Sequence, residues 1–303
     1  MSIIQIQTRI RKLLEDKNAI LLAHYYEPDE VQDIADILND SLALSMSAAR
    51  TDADIIVFAG VRFMAESASI LSPGKTVLLP RMDAGCPLAD TITLSQLEAE
   101  QQRYPEAAVV TYVNSSAEIK AHSNICCTSA NAVRIINSVT ESDQILAVPD
   151  GNIARYAARF SSKEIIPWKG YCPVHHFLRP DEIGEVQARH PEAKFTAHPE
   201  CTPEVLDMAD FVGSTRQILD YVEETDAGEF IIGTEIGIMH ELKKRNPGKT
   251  FIPASDHMIC HDMKKITLDD ILTALLEMKH VIKVPEDVRV PANQALEKML
   301  QVS

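Results

Sequence analysis

Residues 19–26 read Ala-Ile-Leu-Leu-Ala-His-Tyr-Tyr, in which a short apolar run over residues 19–23 is followed by polar and aromatic side chains. A run of this length, bounded by helix-start residues, predicts a buried strand of a parallel sheet. Similar runs occupy residues 107–113 and 193–197, and helix-start signals follow each of them. This recurrence predicts one strand-and-helix unit used three times along the chain.

Other landmarks recur in the same phase. A lone cysteine closes each unit, and the steps between the cysteines are 172 − 86 = 86 and 260 − 172 = 88 residues. The strand-end residues lie 60 to 62 residues before these cysteines, and a hydroxyl residue follows each strand end by 17 positions. The three sets are His24, Tyr112 and His198; Ser41, Ser129 and Thr215; and Cys86, Cys172 and Cys260. Three agreeing registers indicate an internal duplication.

Each unit carries signals for two helices after its first strand, the second helix opening at Ser41, Ser129 or Thr215. Two more strands follow in each unit, at residues 54–59 and 76–79, 144–149 and 164–167, and 230–233 and 250–253. Right-handed crossovers then predict an α/β fold of three similar three-layer α/β/α domains, with parallel sheets around a pseudo-threefold axis. The predicted domains are residues 1–89, 90–176 and 177–303, the last including the C-terminal helices. Residues 3–16 are expected to form a surface helix.

Composition restricts the classes of partner. The chain has 303 residues, 46% hydrophobic and 24% charged, as in an ordinary globular protein. Its net charge of −15 argues against nucleic acid or an anionic membrane as a partner. No run of 18 uncharged apolar residues is present, so no membrane span is expected. Six cysteines in a chain of this length favour a reducing cytoplasm.

The carboxyl ends of parallel strands form ligand sites, and polar residues cluster at these ends. Positions i and i+2 of an extended chain share a face, so three polar pairs are expected to face one cavity. The pairs are His24 and Tyr26, Tyr112 and Asn114, and His198 and Glu200. Glu200 is the single carboxylate among the six and the natural general base, with Tyr26 and Tyr112 as proton donors or relays. A solvated glutamate at a helix start is the alternative.

The helix-start hydroxyls at Ser41, Ser129 and Thr215, with Ser214 next to Thr215, are expected to bind anions through side chains and free backbone N–H groups. His175 is expected to line the same cavity. Ordinary helix capping is the alternative for each hydroxyl taken singly. Because arginine is scarce at these positions, small carboxylates are favoured over polyphosphates as ligands.

The three in-phase cysteines suggest a metal centre. Three thiolates from separate units suit a four-iron cluster with one iron left open, although each cysteine could instead be a small buried hydrophobe. Cys126 and Cys127 are interpreted as core thiols or loop residues, and Cys201 as either packing or functional.

Several longer motifs carry a resemblance across nearly the whole chain. They are His24-Tyr-Tyr26, Asn39-Asp-Ser-Leu42, Asp83-Ala-Gly-Cys-Pro87, Thr111-Tyr-Val-Asn-Ser115, Cys127-Thr-Ser-Ala-Asn131, His198-Pro-Glu-Cys201 and Gly233-Thr-Glu235. Together they resemble the quinolinate synthase, or quinolinate synthetase A, family. The resemblance implies a cytoplasmic transferase of NAD biosynthesis that condenses iminoaspartate with dihydroxyacetone phosphate to form quinolinate, phosphate and water.

The resemblance also implies a cofactor and a set of site residues. It places one [4Fe–4S] cluster on Cys86, Cys172 and Cys260, acting as a Lewis acid. The catalytic residues it implies are Glu200, Tyr26, Tyr112 and His198. The substrate-binding positions it implies are His24, Tyr26, Ser41, Tyr112, Asn114, Ser129, His175, His198, Glu200, Ser214 and Thr215. It leaves open whether an iminoaspartate-producing partner enzyme passes on the unstable imine.

Two departures from the family pattern stand out. Asn39 replaces a common glycine in the Gly-Asp-Ser-Leu motif, and asparagine tolerates the same turn. Ile259 and His261 flank Cys260, so the extra cysteines that form a thiol switch in some members are missing here. Two other functions stay open: a metal-dependent hydro-lyase acting on a different small hydroxy acid, and a non-enzymatic iron–sulfur redox sensor.

Overall fold

The structure is a computed structural model that describes residues 1–302, and it contains three parallel-dominated sheets. The first sheet holds β1 (Ala19–His24), β2 (Ile37–Asn39), β3 (Ile55–Ala59) and β4 (Thr76–Leu78). The second holds β5 (Ala108–Tyr112), β6 (Ile125–Cys127), β7 (Gln144–Val148) and β8 (Glu164–Pro167). The third holds β9 (Lys194–Ala197), β10 (Phe211–Val212), β11 (Glu229–Gly233) and β12 (Thr250–Pro253).

All three sheets share one strand order. It runs β4-β3-β1-β2 in the first sheet, β8-β7-β5-β6 in the second and β12-β11-β9-β10 in the third, and every one of these pairs is parallel. The predicted α/β class with three similar sheets is therefore confirmed. A short strand, β13 (Val281–Ile282), adds to the edge of the first sheet antiparallel to β4.

Helices connect and cover the sheets. In the first third of the chain they are α1 (Ile3–Asp16), α2 (Asp29–Gln32), α3 (Ser41–Arg50) and α4 (Arg62–Leu71). The middle third has α5 (Leu94–Arg103), α6 (Ala117–Ala121), α7 (Ala132–Ser138), α8 (Gly151–Ala158) and α9 (Pro173–His176). The last third has α10 (Pro180–Arg189), α11 (Pro203–Leu206), α12 (Thr215–Glu224), α13 (Ile238–Arg245), α14 (Leu268–Glu277) and α15 (Glu286–Val302).

The strands β2, β6 and β10, like β13, are parts of the fold that the sequence did not predict. Each has only two or three residues, too few for a hydrophobic period to show. Each of β2, β6 and β10 lies between the two helices that follow the first strand of its sheet and pairs with that strand. Cys126 and Cys127 lie on β6 and are buried, so the loop interpretation of these cysteines is wrong and the core interpretation holds.

The C-terminal helices lie away from the third sheet. Helix α14 packs against α1 and β3, while α15 packs against α4, α6 and β6. Residues 268–302 therefore cover the first two sheets and tie the end of the chain to its beginning. The domain boundaries at residues 89/90 and 176/177 stay a prediction. Among residues 1–302, no helix combines the length and the apolar character that a membrane crossing requires.

Candidate active site

The strands β1, β5 and β9 end at a single cavity between the three sheets. Nine of the eleven predicted substrate-binding residues line it: His24, Tyr26, Ser41, Tyr112, Asn114, Ser129, His198, Glu200 and Thr215. Because equivalent strands of three repeats point their carboxyl ends at this cavity, residues some 90 positions apart in the chain become neighbours.

Two of the strand ends form the same turn. The backbone N–H of Tyr26 donates to Nδ1 of His24 at 3.2 Å, and that of Glu200 lies 3.3 Å from Nδ1 of His198. The next residue closes each turn, since its N–H donates to the histidine carbonyl at 3.0 Å from Glu27 and at 2.9 Å from Cys201. The repeat thus fixes two imidazoles in equivalent positions, while the residue two positions on differs.

A continuous chain of polar contacts joins the two turns. The Tyr26 hydroxyl lies 2.6 Å from Oγ1 of Thr234, which lies 2.9 Å from Nε2 of His175. Nδ1 of His175 lies 2.8 Å from Oε2 of Glu200. The Tyr26 hydroxyl also lies 2.8 Å from Oγ1 of Thr215. This chain provides a path for protons between a phenol and a carboxylate.

Charge is concentrated on Glu200. Burial opposes its ionisation, but the imidazoles of His175 and His198 outweigh this and hold the pKa of the carboxyl below its ordinary value. Its Oε2 contacts both imidazoles, at 2.8 Å and 3.3 Å, whereas Oε1 is buried and has no hydrogen-bond partner. The free oxygen of an ionised carboxylate in a cavity wall is able to accept a proton from a ligand.

The tyrosines and His24 are held neutral. Burial raises the pKa of Tyr26 and of Tyr112, and the negative charge of Glu200 adds to the rise for both. Burial also lowers the pKa of His24 to about 3, with Lys264 and His198 adding to the effect. The first strand end therefore presents neutral hydrogen-bonding groups, and the phenols keep the protons that they could donate.

The helix-start hydroxyls differ in placement from the prediction. Ser41 and Thr215 are the first residues of α3 and α12, and the N-cap side chains are those of Asp40 and Ser214. Ser129 lies before α7, which begins three residues later than predicted, with Asn131 at its N-cap position. None of the three occupies an N-cap position, and Ser41, Ser129 and Thr215 all line the cavity.

Two predicted residues lie behind the cavity wall. Ser214 is buried and its hydroxyl donates to Oδ2 of Asp40 at 3.1 Å, which ties the start of α12 to the start of α3. His175 is 1% exposed and reaches the cavity through Glu200. The roles assigned to both residues stay predictions.

The three in-phase thiols share a local setting. Backbone N–H groups two or three residues further on act to lower the pKa of each thiol: those of Leu88 and Ala89 for Cys86, that of His175 for Cys172, and those of Asp262 and Met263 for Cys260. Burial raises the pKa of all three thiols, that of Cys260 to about 11. The charges of Cys86 and Cys260 add to the rise in the pKa of Cys172, and that of Cys260 adds to the rise for Cys86, which fits thiols that lie near one another.

Buried thiols that repel one another as thiolates gain stability from a cation placed between them. Amide N–H groups that donate to sulfur are typical of iron–sulfur ligation, where they help to set the reduction potential. The donor set of Cys86, Cys172 and Cys260 thus fits a metal cluster. Cys201, like Cys126 and Cys127, is fully buried and free, which fits a packing role.

A second group of metal-binding atoms overlaps this set. The sulfur of Cys172, a ring nitrogen of His175 and an oxygen of Glu200 all lie within 4.8 Å of one another. Nδ1 of His175 stands between them, 3.3 Å from the Cys172 sulfur and 2.8 Å from Glu200. His175 therefore links the thiol end of the site to the carboxylate end.

Thr234 and Asp40 were missed as site residues. Thr234 directly follows β11, and the residues at its phase in the other units are Gly60 and Pro149, so no repeat signal marked it. Asp40 lies in the Asn39-Asp-Ser-Leu42 motif and lines the cavity, and its side chain also caps α3, so its position before a helix gave no separate signal of a site role.

The chain is similar to known proteins along almost its whole length. The quinolinate synthetase A protein family matches residues 8–301. The quinolinate synthase of Geotalea uraniireducens is 55% identical over 298 residues, which are 98% of both chains. The quinolinate synthase of a Geobacter species (strain M21) is 53% identical over 98% of this chain and 97% of its own, and quinolinate synthase 1 of Methanosarcina acetivorans is 52% identical over 97% and 96%.

The matched length takes in the strands, the cavity residues and the cysteine loops together. The chain therefore belongs to the quinolinate synthetase A family.

Proposed function

We propose that this protein is a quinolinate synthase that condenses iminoaspartate with dihydroxyacetone phosphate to give quinolinate, one phosphate and two waters. The observation that carries the proposal is the convergence of three repeat units on one cavity. Each unit contributes a strand-end polar pair and a buried thiol in the same phase. Membership of the family supports the same reaction.

Neutral donors suit the binding of these substrates. Both substrates carry carboxylate or phosphate groups, and the cavity offers hydroxyls from Ser41, Ser129 and Thr215 next to helix starts. The first residues of α3 and α12 place free backbone N–H groups and the positive end of the helix dipole at the cavity wall. Asn114 adds an amide whose Nδ2 can donate to an anionic group, while its Oδ1, which is buried and has no hydrogen-bond partner, can accept from an N–H or O–H of the substrate.

Proton transfers are assigned to the polar chain between the two turns. Ring formation requires loss of a C–H proton and protonation of departing oxygen atoms. Oε1 of Glu200 accepts the first proton, while His175 and His198 stabilise the carboxylate. The phenol of Tyr26 donates a proton to a departing hydroxyl and is reprotonated through Thr234 and His175.

Cys86, Cys172 and Cys260 would hold a [4Fe–4S] cluster, which when bound supplies a Lewis-acidic iron for an oxygen atom of the substrate. His175 then keeps the carboxylate of Glu200 beside that end of the cavity, because it contacts both Cys172 and Glu200. Six free cysteines also fit work in a reducing cytoplasm.

Anaerobic purification followed by iron and sulfide analysis tests the proposal. We expect four irons and four sulfides per chain, with quinolinate formed from dihydroxyacetone phosphate and iminoaspartate generated in the assay. Cys86→Ala should lose the cluster absorbance and the activity. An unchanged rate in Cys86→Ala, or stoichiometric zinc in the active protein, would overturn the proposal.

The group formed by Cys172, His175 and Glu200 supports one alternative, a mononuclear metal hydro-lyase. It predicts one metal per chain without sulfide, and activity that survives in Cys86→Ala. A redox sensor without catalytic function would bind the cluster but form no quinolinate. Whether an iminoaspartate-producing enzyme hands over the imine directly is tested by competition with a trapping amine in the coupled assay.

A further inference from the structure

The three cysteine loops are attached to their sheets by the same backbone contact. In each unit, the third residue after β3, β7 or β11 donates its backbone N–H to a carbonyl in the cysteine loop. The carbonyl belongs to the residue two positions before the cysteine. These bonds run from Arg62 to Ala84 at 2.9 Å, from Gly151 to Gly170 at 2.8 Å and from Ile236 to Met258 at 3.0 Å. The repeat therefore supplies one common anchor for each loop.

The second and third units add a buried carboxylate to this anchor. Asp150 lies two residues after β7 and is 2% exposed, and Glu235 lies two residues after β11 and is 0% exposed. The equivalent residue in the first unit is Val61, which has no polar side chain. A buried acid costs free energy unless its oxygens accept hydrogen bonds, so the contacts of these two acids show what they hold.

Each acid bridges a helix start and a cysteine amide. Oδ1 of Asp150 accepts from the backbone N–H groups of Asn152 and Ile153 at 2.8 and 2.9 Å, while Oδ2 accepts from the N–H of Cys172 at 3.3 Å. Oε2 of Glu235 accepts from Gly237 at 2.7 Å, while Oε1 accepts from the N–H of Cys260 at 3.0 Å. Asp150 caps α8 with one oxygen, Glu235 holds the residue before α13 with one oxygen, and in both units the second oxygen goes to the cysteine.

In the first unit, the carboxylate that holds the cysteine loop comes from the third unit. The N–H of Gly85, which precedes Cys86, donates to Oδ1 of Asp262 at 3.0 Å. Asp262 belongs to the loop of Cys260, and Lys265 binds the same oxygen at 2.7 Å. The loop of Cys86 is thus held by a carboxylate of the third cysteine loop.

We propose that Asp150 and Glu235 are positioning residues for the metal centre, holding the backbone of Cys172 and Cys260 so that both thiols stay turned toward the shared cluster. The inference rests on the proposed function, because it assumes that the three thiols bind a cluster. Groups that orient metal ligands typically contribute 10-fold to 100-fold to metal retention. Glu235 also joins this loop to the first unit, since Lys264 contacts both its carboxylate and the carbonyl of Tyr26.

Asp150→Ser separates the two roles of Asp150. Serine remains a good N-cap for α8 but has no second oxygen to reach the amide of Cys172. Glu235→Gln keeps the size of the side chain and removes its charge. Thr93→Ala is the matched control, because it deletes the cap of α5 and touches no cysteine loop. In this cap, the backbone N–H of Gln96 donates to the Thr93 hydroxyl at 3.4 Å.

The measurement is the rate at which an iron chelator removes iron from the anaerobic, reconstituted protein, followed by the loss of cluster absorbance. We expect a rate about 10-fold to 100-fold above wild type in Asp150→Ser and Glu235→Gln, and no change in Thr93→Ala. Melting of the metal-free proteins should differ little between Asp150→Ser and wild type. Should one variant be insoluble, the other decides, because the two contacts lie in separate units.

Iron release at the wild-type rate in the soluble variants would overturn the inference and leave the proposed function intact. A wild-type protein that binds no cluster would instead remove the proposed function and with it the basis of the inference. Release that rises equally in Thr93→Ala would also overturn it, because general loss of stability would then explain the effect.

Discussion

The turns that end β1 and β9 have the same backbone but different electrostatics. Both place an imidazole nitrogen against the N–H two residues on, at 3.2 Å for His24 and 3.3 Å for His198. The residue at that second position is Tyr26 in one turn and Glu200 in the other. A single side-chain difference thus makes one turn a neutral donor and the other a carboxylate flanked by two imidazoles.

This difference shows how a duplicated unit acquires asymmetric chemistry. The repeat fixes where each side chain points, because the strand and its turn are the same. The side chain at the second position then decides whether the strand end gives or takes a proton. Substitutions in the two turns can therefore test each half of this comparison.

Glu200→Gln should have the largest effect. It leaves the turn in place but replaces the carboxylate, whose Oε1 has no hydrogen-bond partner, with a neutral amide that cannot serve as a base. We expect kcat to fall about 1,000-fold, or about 4 kcal/mol, which is in the range for loss of a general base. Steady-state quinolinate formation measures the loss, with cluster content as the control. Activity within tenfold of wild type would show that the two turns do not divide proton transfer as proposed.

Tyr26→Phe tests the opposite turn. It removes the hydroxyl that contacts Thr215 and Thr234 and leaves the ring packed against His24, with ring centres 4.4 Å apart. We expect kcat to fall about 100-fold, or about 2.7 kcal/mol, with a smaller change in KM. A change in KM alone would mean that the phenol binds substrate but transfers no proton.

The stability of the two turns should differ in its dependence on pH. Burial is the largest cause that lowers the pKa of His24, to about 3, whereas an unfolded histidine titrates near its ordinary value of 6.5. Between these two pH values, His24 is protonated in the unfolded state but neutral in the folded state. Its contribution to folding stability is therefore fully present above the unfolded pKa and is lost as the pH falls below that value. From pH 7 to pH 5 the expected loss from His24 is about 2 kcal/mol.

Urea unfolding of the metal-free protein at both pH values measures this loss. In His24→Gln, the decrease in unfolding free energy between pH 7 and pH 5 should be smaller than in wild type by about the contribution of His24. His198→Gln is the matched control and should change it less, because burial lowers the pKa of His198 while the neighbouring Glu200 opposes that shift. Equal changes in the two variants would contradict the contrast between the turns.

Much of the fold followed from the sequence because its strands are long apolar runs. The nine predicted strands correspond to β1, β3, β4, β5, β7, β8, β9, β11 and β12, with ends shifted by at most one or two residues. The predicted surface helix over residues 3–16 is α1. The unpredicted strands β2, β6, β10 and β13 are too short for a local pattern, and pairing with a neighbouring strand decides them.

The candidate site divides in the same way. The phase of the repeat identified nine residues that line the cavity, because equivalent strand ends face the same way in each unit. It did not identify Thr234, whose importance comes from lying between Tyr26 and His175, more than 50 residues from each in the chain. It also placed the second helix of the middle unit at Ser129 in place of Ala132.

By itself, the sequence determined the three-unit α/β architecture and the residues that each unit contributes. The hydrophobic period within each strand and the spacing of the repeat can both be seen along the chain without knowledge of tertiary contacts. Tertiary structure alone decided the contacts between units. These are the polar path from Tyr26 to Glu200, the carboxylates that hold the cysteine loops, and the return of α14 and α15 to the first two sheets. The physical reason is that hydrogen bonds and pKa values depend on distance and burial, which form only when the three sheets pack together.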